Sequence, residues 1–216
     1  MLTQSIRSVT LVCMVLGAMT LTSVGAMADP LPVTTYTSLD GSPKAHLLVL
    51  LLSHGSPIED EIIALQDEID VVQELMTIST HPALDRFPRG RAMGALGLFA
   101  QDPRVLDFAS LLLNEPGVQA DLTLLGRAIL LFNEVVLPQR PEAVSQLLPL
   151  ATHEDAFIRR DAVVGMALVR DRLQVTAVED TLQQLVLAER HPEVQAALAR
   201  ALQTVELRPS TGPLRP

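Results

Sequence analysis

The stretch from Ala45 to Glu61, "AHLLVLLLSHGSPIEDE", decides the fold. An apolar run closed by His-Gly-Ser is either a buried strand that delivers a histidine to a loop, or a short helix stopped by a glycine. The flanks favour the helix. Upstream, Ser42-Pro43 pairs a side-chain cap with a proline at the first helical position, where the missing N–H costs nothing. Gly55 stands where a left-handed residue ends a helix, and Ser56-Pro57 opens the next one at once.

The same punctuation recurs along the chain. Asp102-Pro103 is a third well-formed start, while His81-Pro82, Arg140-Pro141 and His191-Pro192 keep the proline behind a poorer cap. Ser56 with Glu59, and Thr176 with Glu179, have capping-box spacing. From Pro57 to Ile78 the apolar residues Ile62, Leu65, Ile69, Val72 and Met76 step by three and four, which predicts one long amphipathic helix. Asp60, Asp67, Asp70 and Glu74 fall off that stripe, and Glu59, Asp60 and Glu61 complement the helix dipole. These signals predict an all-α protein.

Three segments align without gaps: "NEPGVQADL" from Asn114, "EDAFIRRDAV" from Glu154 and "RHPEVQAAL" from Arg190. Each has a turn, a branched apolar anchor (Val118, Ile158, Val194) and then a polar donor (Gln119, Arg159, Gln195). The anchors lie 40 and 36 residues apart, and a degenerate copy, "THPALDR" from Thr80, is anchored on Leu84, 34 residues before Val118. Periods of this length point to a helical solenoid. Each anchor is expected to open a second helix after a first one at Pro57–Ile78, Pro103–Leu113, Pro141–Ala151 or Ala177–Glu189. The helix over 43–53 then serves as an N-terminal lid.

With these segments in view, the chain resembles HEAT repeats over residues 57–205, most clearly in "AVSQLLPLATHEDAFIRRDAVVGMALV" from Ala143 to Val169. The resemblance implies an α-solenoid of about four antiparallel helix pairs, in which Arg159 matches the arginine of a hydrogen-bonded ladder between turns. Gln119 and Gln195 depart from that pattern by losing the charge. The resemblance also implies that second helices line an inner face. There the chain carries Arg89, Arg127, Arg159, Arg160, Asp161 and Arg200. Of these, Arg127, Arg159, Arg160, Asp161 and Arg200 are the candidate partner-binding residues, for a protein with an acidic or mixed-charge surface. Arg159 has a structural alternative, a bridge between repeats. Independently of the resemblance, Ala162 and Gly165 read as small residues on a closely packed face with Ile158 and Val169. Arg170, near a helix end, reads as dispensable.

Residues 1–28 carry one base, Arg7, an apolar stretch from Val9 to Val24, and Ala26-Met27-Ala28, the pattern of a cleaved secretory signal. Residues 29–42 read as an extended linker, 43–206 as the repeat domain and 207–216 as a disordered tail. The expected location is periplasmic or secreted, without stable membrane insertion after cleavage. Losing Arg7 makes the net charge of -9 one unit more negative, and the single cysteine, Cys13, leaves with the leader. Disulfides, thiolate metal sites and cysteine nucleophiles are thereby excluded. An acidic chain with no Trp and 3% aromatics lacks the basic footprint and stacking rings of a nucleic-acid binder.

The enzymatic alternatives are few. The His54-Gly55-Ser56 turn resembles the His-Gly loop of α/β hydrolases and of tetrapyrrole-chelatase-like proteins, but no G-x-S-x-G elbow follows. A bilin-lyase-like HEAT protein is a further alternative. His81, Glu115, Asp155 and His191 occupy equivalent turns, yet helices stacked about 8 to 10 Å apart cannot converge four ligands on a metal that needs about 2 Å contacts. The acids between Glu59 and Glu74 do not form a calcium loop. No cofactor or metal site is expected. The leader pattern generates one prediction: mass spectrometry of the exported protein should find its N-terminus at Asp29, and an intact Met1 species recovered from the membrane would contradict it.

Overall fold

A computed structural model describes residues 41–53, 59–173 and 176–203. The leader, the linker up to Asp40, the tail from 204 and the His54-Gly55-Ser56 turn with its expected caps lie outside the described residues. Every regular element among the described residues is helical. The run that opened the question is helix α1, Pro43–Leu52, with Leu47, Leu48, Leu50 and Leu51 buried. Ser42 caps it by accepting from the Ala45 N–H at 3.2 Å.

Chain order continues with α2 (Glu59–Ala64), α3 (Val71–Thr80), α4 (Arg86–Leu96), α5 (Pro103–Leu112), a short α6 (Pro116–Gln119) and α7 (Leu122–Leu131). A π turn, Phe132–Val136, leads into α8 (Leu137–Gln139). Two 3-10 segments, Pro141–Leu147 and Leu150–Thr152, precede α9 (Ala156–Leu173), α10 (Thr176–Ala188) and α11 (Pro192–Gln203). Carboxylates start several of these helices. Asp102 accepts from Arg104 N at 2.8 Å, Asp121 from Thr123 N at 2.9 Å, and Asp155 from Phe157 N at 2.8 Å. Each satisfies amides that have no partner inside the helix.

The long helix expected over 57–78 is divided. A 3-10 turn at Leu65–Asp67 ends its first part, and Asp70, expected on the solvated face, instead caps α3 by accepting from Gln73 N at 3.1 Å. The restart turns Val71, Val72, Leu75 and Ile78 into the core, while Ile69 and Met76 are only half-buried. The helix expected over 141–151 is also corrected, because the 3-10 form takes its place. Pro138, Pro141 and Pro149 remove amide donors there, and a short tight helix tolerates their loss better than α-helix does. Two anchors precede their helices instead of opening them. Leu84 lies in the turn before α4, and Val118 sits in α6, which Asp121 separates from α7.

Helices α4, α7, α9 and α11 touch in chain order, each packing on the next. The earlier member of each pair covers them: α3 packs on α4, α5 on α7 and the π turn, the 3-10 segments on α9, and α10 on α11. Phe132, Ile78, Met93, Leu96 and Ile129 are among the largest side chains fully enclosed. The run Leu122–Gln139 is long and apolar enough to cross a membrane by length and composition, but 56% of it is buried inside this protein.

The closest approach is at α9. A Cβ on Gly165 would stand 2.2 Å from Asn133 Oδ1 and 2.5 Å from Leu147 Cδ1. Asn133, on the π turn, is 4% exposed and donates through Nδ2 to the Asp161 carbonyl at 3.1 Å. Ile158, Ala162 and Val169 are buried on the same helix. Arg170 is not the isolated residue the sequence suggests. Its Nε meets Glu179 Oε2 at 2.8 Å, its Nη1 donates to the Ala201 carbonyl, and its side chain is 14% exposed. The end of α9 is flanked by α10 and α11, so an arginine there finds both a carboxylate and a carbonyl of α11's last turn. In urea titrations Gly165→Leu should lower stability by roughly 1 to 3 kcal/mol through overpacking. Arg170→Ala should lower it by about 1 to 2 kcal/mol through loss of charge-assisted bonds. An Arg170→Ala midpoint equal to wild type would contradict the bridge.

Candidate partner-binding face

The polar donors of the repeat share one geometry. Gln119 Nε2 donates to the Leu113 carbonyl at 3.0 Å, Arg159 Nη1 to the His153 carbonyl at 2.8 Å, and Gln195 Nε2 to the Glu189 carbonyl at 2.9 Å. Each reaches six residues back and closes the turn it follows. Losing the charge at 119 and 195 leaves this closure intact, since an amide donates as well as a guanidinium.

Arg159 adds a link that glutamine cannot make. Its Nε and Nη2 grip Glu189 at 2.7 and 3.0 Å, joining the turn before α9 to the turn after α10. Glu189 also accepts from the backbone amides of Arg190 and His191 at 2.9 and 2.8 Å. The Arg159 bond, helped by those amides and opposed by burial, holds the Glu189 carboxyl down at about 2. The same pair raises the Arg159 pKa. Arg159 therefore bridges two turns, which is the structural alternative its sequence left open beside partner binding.

The other proposed residues separate in the same way. Arg89, an inner-face residue outside the proposed set, is buried and donates from Nε to the Ser79 carbonyl at 3.0 Å. Arg160 lies 5.2 Å over the Phe157 ring and pairs with Asp161 at 2.8 Å and Glu193 at 3.0 Å. Asp161 is buried beneath it. Arg200 is exposed on the last turn of α11. Arg127 is exposed on α7 and has no hydrogen bond or ion pair among the described residues.

Arg127 and Thr123 form a wall shared by two adjoining cavities. One, of about 440 Å³, lies between α2, α4 and α7, with Arg86, Phe87, Gly90, Arg91, Gly94 and Leu98 in its lining. The other, of about 290 Å³, lies between α7 and α9, against Leu122, Leu130, Phe157, Asp155 and Asp161. Of the five residues proposed from sequence, this arrangement unites Arg127 and Asp161, and the lining of neither cavity includes Arg159, Arg160 or Arg200. Sequence reasoning missed Arg86, Arg91, Phe87 and Leu98. The signal was in "RFPRGRAMG" from Arg86, where bases and glycines interleave ahead of the core stripe.

The turn residues act locally. His81 Nδ1 accepts from Ala83 N at 3.2 Å, Glu115 caps Val118 N at 2.7 Å, and His191 packs edge-on against Phe157 at 6.2 Å. Among the described residues no three His, Asp or Glu side chains gather as a metal site requires. No family model, curated protein or solved structure matches the chain.

The Arg159–Glu189 clip generates a pH prediction. A carboxyl that titrates at 4.5 when unpaired and at about 2 when folded contributes fully above 4.5, and that contribution is lost as pH falls to about 2. Glu189→Gln should be less stable than wild type at neutral pH and should show a flatter acid limb across that window. Urea midpoints measured along the pH series check this, and parallel limbs would contradict it.

Proposed function

We propose that the chain is an exported HEAT-like α-solenoid that binds another protein across α4, α7, α9 and α11 and works as a scaffold or adaptor. Export rests on the Met1–Ala28 leader pattern. The solenoid reading is supported by the chain-order packing of those four helices and by the turn closure repeated at Gln119, Arg159 and Gln195. One observation carries the binding reading: Phe87, Leu98, Leu122, Leu130 and Phe157 are 38 to 52% exposed around two adjoining cavities, with Arg127 between them. Apolar and aromatic anchors beside an arginine are the composition of a protein-binding hot spot.

A pull-down from periplasmic extract tests it. Wild-type bait should retain a protein that a Leu130→Glu/Phe157→Ser bait loses at unchanged melting temperature, whereas His81→Ala should keep it. An identical set of captured proteins on all three baits would place binding elsewhere.

A further inference from the structure

The cavity between α2, α4 and α7 has a floor of bare backbone. Gly90 and Gly94 lie one turn apart on α4 and both face into it. A Cβ on Gly90 would touch Arg127 Cγ at an ordinary 3.5 Å, and one on Gly94 would meet nothing within 4 Å. Among the described residues packing therefore does not require glycine at 94, and the volume above it is open. Charge singles out the same place. In a protein of net charge -9, the described lining of this cavity holds Arg86, Arg127 and Arg91, the last donating from Nη1 to the Ser53 carbonyl at 2.8 Å, against one carboxylate, that of Glu59. The adjoining cavity has the opposite balance, with Asp155 and Asp161 against the shared Arg127. Both cavities are otherwise lined by exposed apolar side chains, Phe87 and Leu98 in one, Leu122 and Phe157 in the other.

We propose that this pair of cavities is a two-subsite groove for an acidic amphipathic segment of a protein partner. One apolar side chain of the segment seats on the Gly90–Gly94 floor with its neighbouring carboxylates on Arg86 and Arg127, and a second seats against Phe157. The inference rests on the protein-binding reading and gives that face a polarity. Arginine forks grip carboxylates bidentately, so acids belong at the α4 end, where the arginines outnumber the acids. At the α9 end Asp161 is already paired with Arg160 at 2.8 Å, and Arg160 also with Glu193 at 3.0 Å, so the described lining there offers Arg127 as its arginine beside Asp155 and gives an acid less to grip. Thr123 and Arg127 line both cavities, so the two lie side by side along α7, which suits a chain longer than one small molecule.

The test pans random 12-residue peptides on phage against the intact protein and measures the enriched sequences by fluorescence anisotropy. Enriched peptides should carry two large apolar residues with Asp or Glu clustered beside one of them. Gly94→Leu, which fills the floor, should weaken binding about tenfold or more with an unchanged or higher melting temperature. Arg127→Gln should weaken it several-fold and reduce its salt dependence. Thr123→Glu, exposed in the first turn of α7, should weaken it as well and supplies a second variant should Gly94→Leu fold poorly. Basic or charge-neutral enriched peptides, or full affinity in Gly94→Leu and Thr123→Glu, would overturn the groove while leaving the wider binding reading to the pull-down. Failure to enrich any peptide would overturn it too. So would a wild-type dimer, seen by sedimentation, that Gly94→Leu dissolves, since a second copy would then be the occupant.

Discussion

Helix α9 can lie against the 132–147 segment only because position 165 carries no side chain. With Asn133 Oδ1 and Leu147 Cδ1 at 2.2 and 2.5 Å from where a Cβ would be, any larger residue must displace those side chains or the helix itself. The neighbours of α9 are nearly the whole C-terminal half: α7, α10, α11, α8 and both 3-10 segments. The π turn contributes to this seat by presenting Asn133, whose amide bonds the Asp161 carbonyl at 3.1 Å. Local helical irregularity is the means by which a polar side chain reaches into a packed interface. The cavity between α7 and α9 inherits its dimensions from this contact, because Phe157, Ile158 and Asp161 in its wall stand on the helix that Gly165 positions.

Arginines then fasten α9 at both ends. Near its start Arg159 grips Glu189, and near its end Arg170 reaches Glu179 and the Ala201 carbonyl. Each guanidinium is largely enclosed and each has several donors occupied, which offsets the cost of taking the charge out of water. Arg89 does a related task from α4 by holding the Ser79 carbonyl. These three are chemically the same as Arg127 and Arg86, yet their roles differ. What separates them is whether a carbonyl or carboxylate of another element lies within reach.

The surface consequence is an arrangement in which core-packing residues and cavity-lining residues share a helix. On α4, Arg89 faces inward while Phe87, Gly90, Arg91 and Gly94 border the cavity. On α9, Asp161 is buried under Arg160, and Phe157 projects beside it with 52% of its surface exposed. Helices α4, α7 and α9, packed in chain order, thus border an apolar recess flanked by arginines.

The sequence by itself determined the helical class, the start of α1 at Ser42-Pro43, the recurrence of a polar donor at 119, 159 and 195, which the structure shows closing its own turn, and the packed face around Gly165. All four are short-range facts. A cap bonds an amide two or three residues on, a turn-closing donor reaches six residues back, and an apolar stripe is written in steps of three and four. Tertiary structure alone decided that Asp70 restarts a helix, that the proline-rich 141–152 segment winds as 3-10, that Arg170 is a bridge, and that Arg127 stands between two cavities. Asp70 shows why. It accepts from Gln73 N at 3.1 Å and from Arg104 at 2.6 Å, and the second partner is 34 residues away. An acid off the apolar stripe reads as solvated until the fold brings an arginine to it, and no local spacing encodes that meeting.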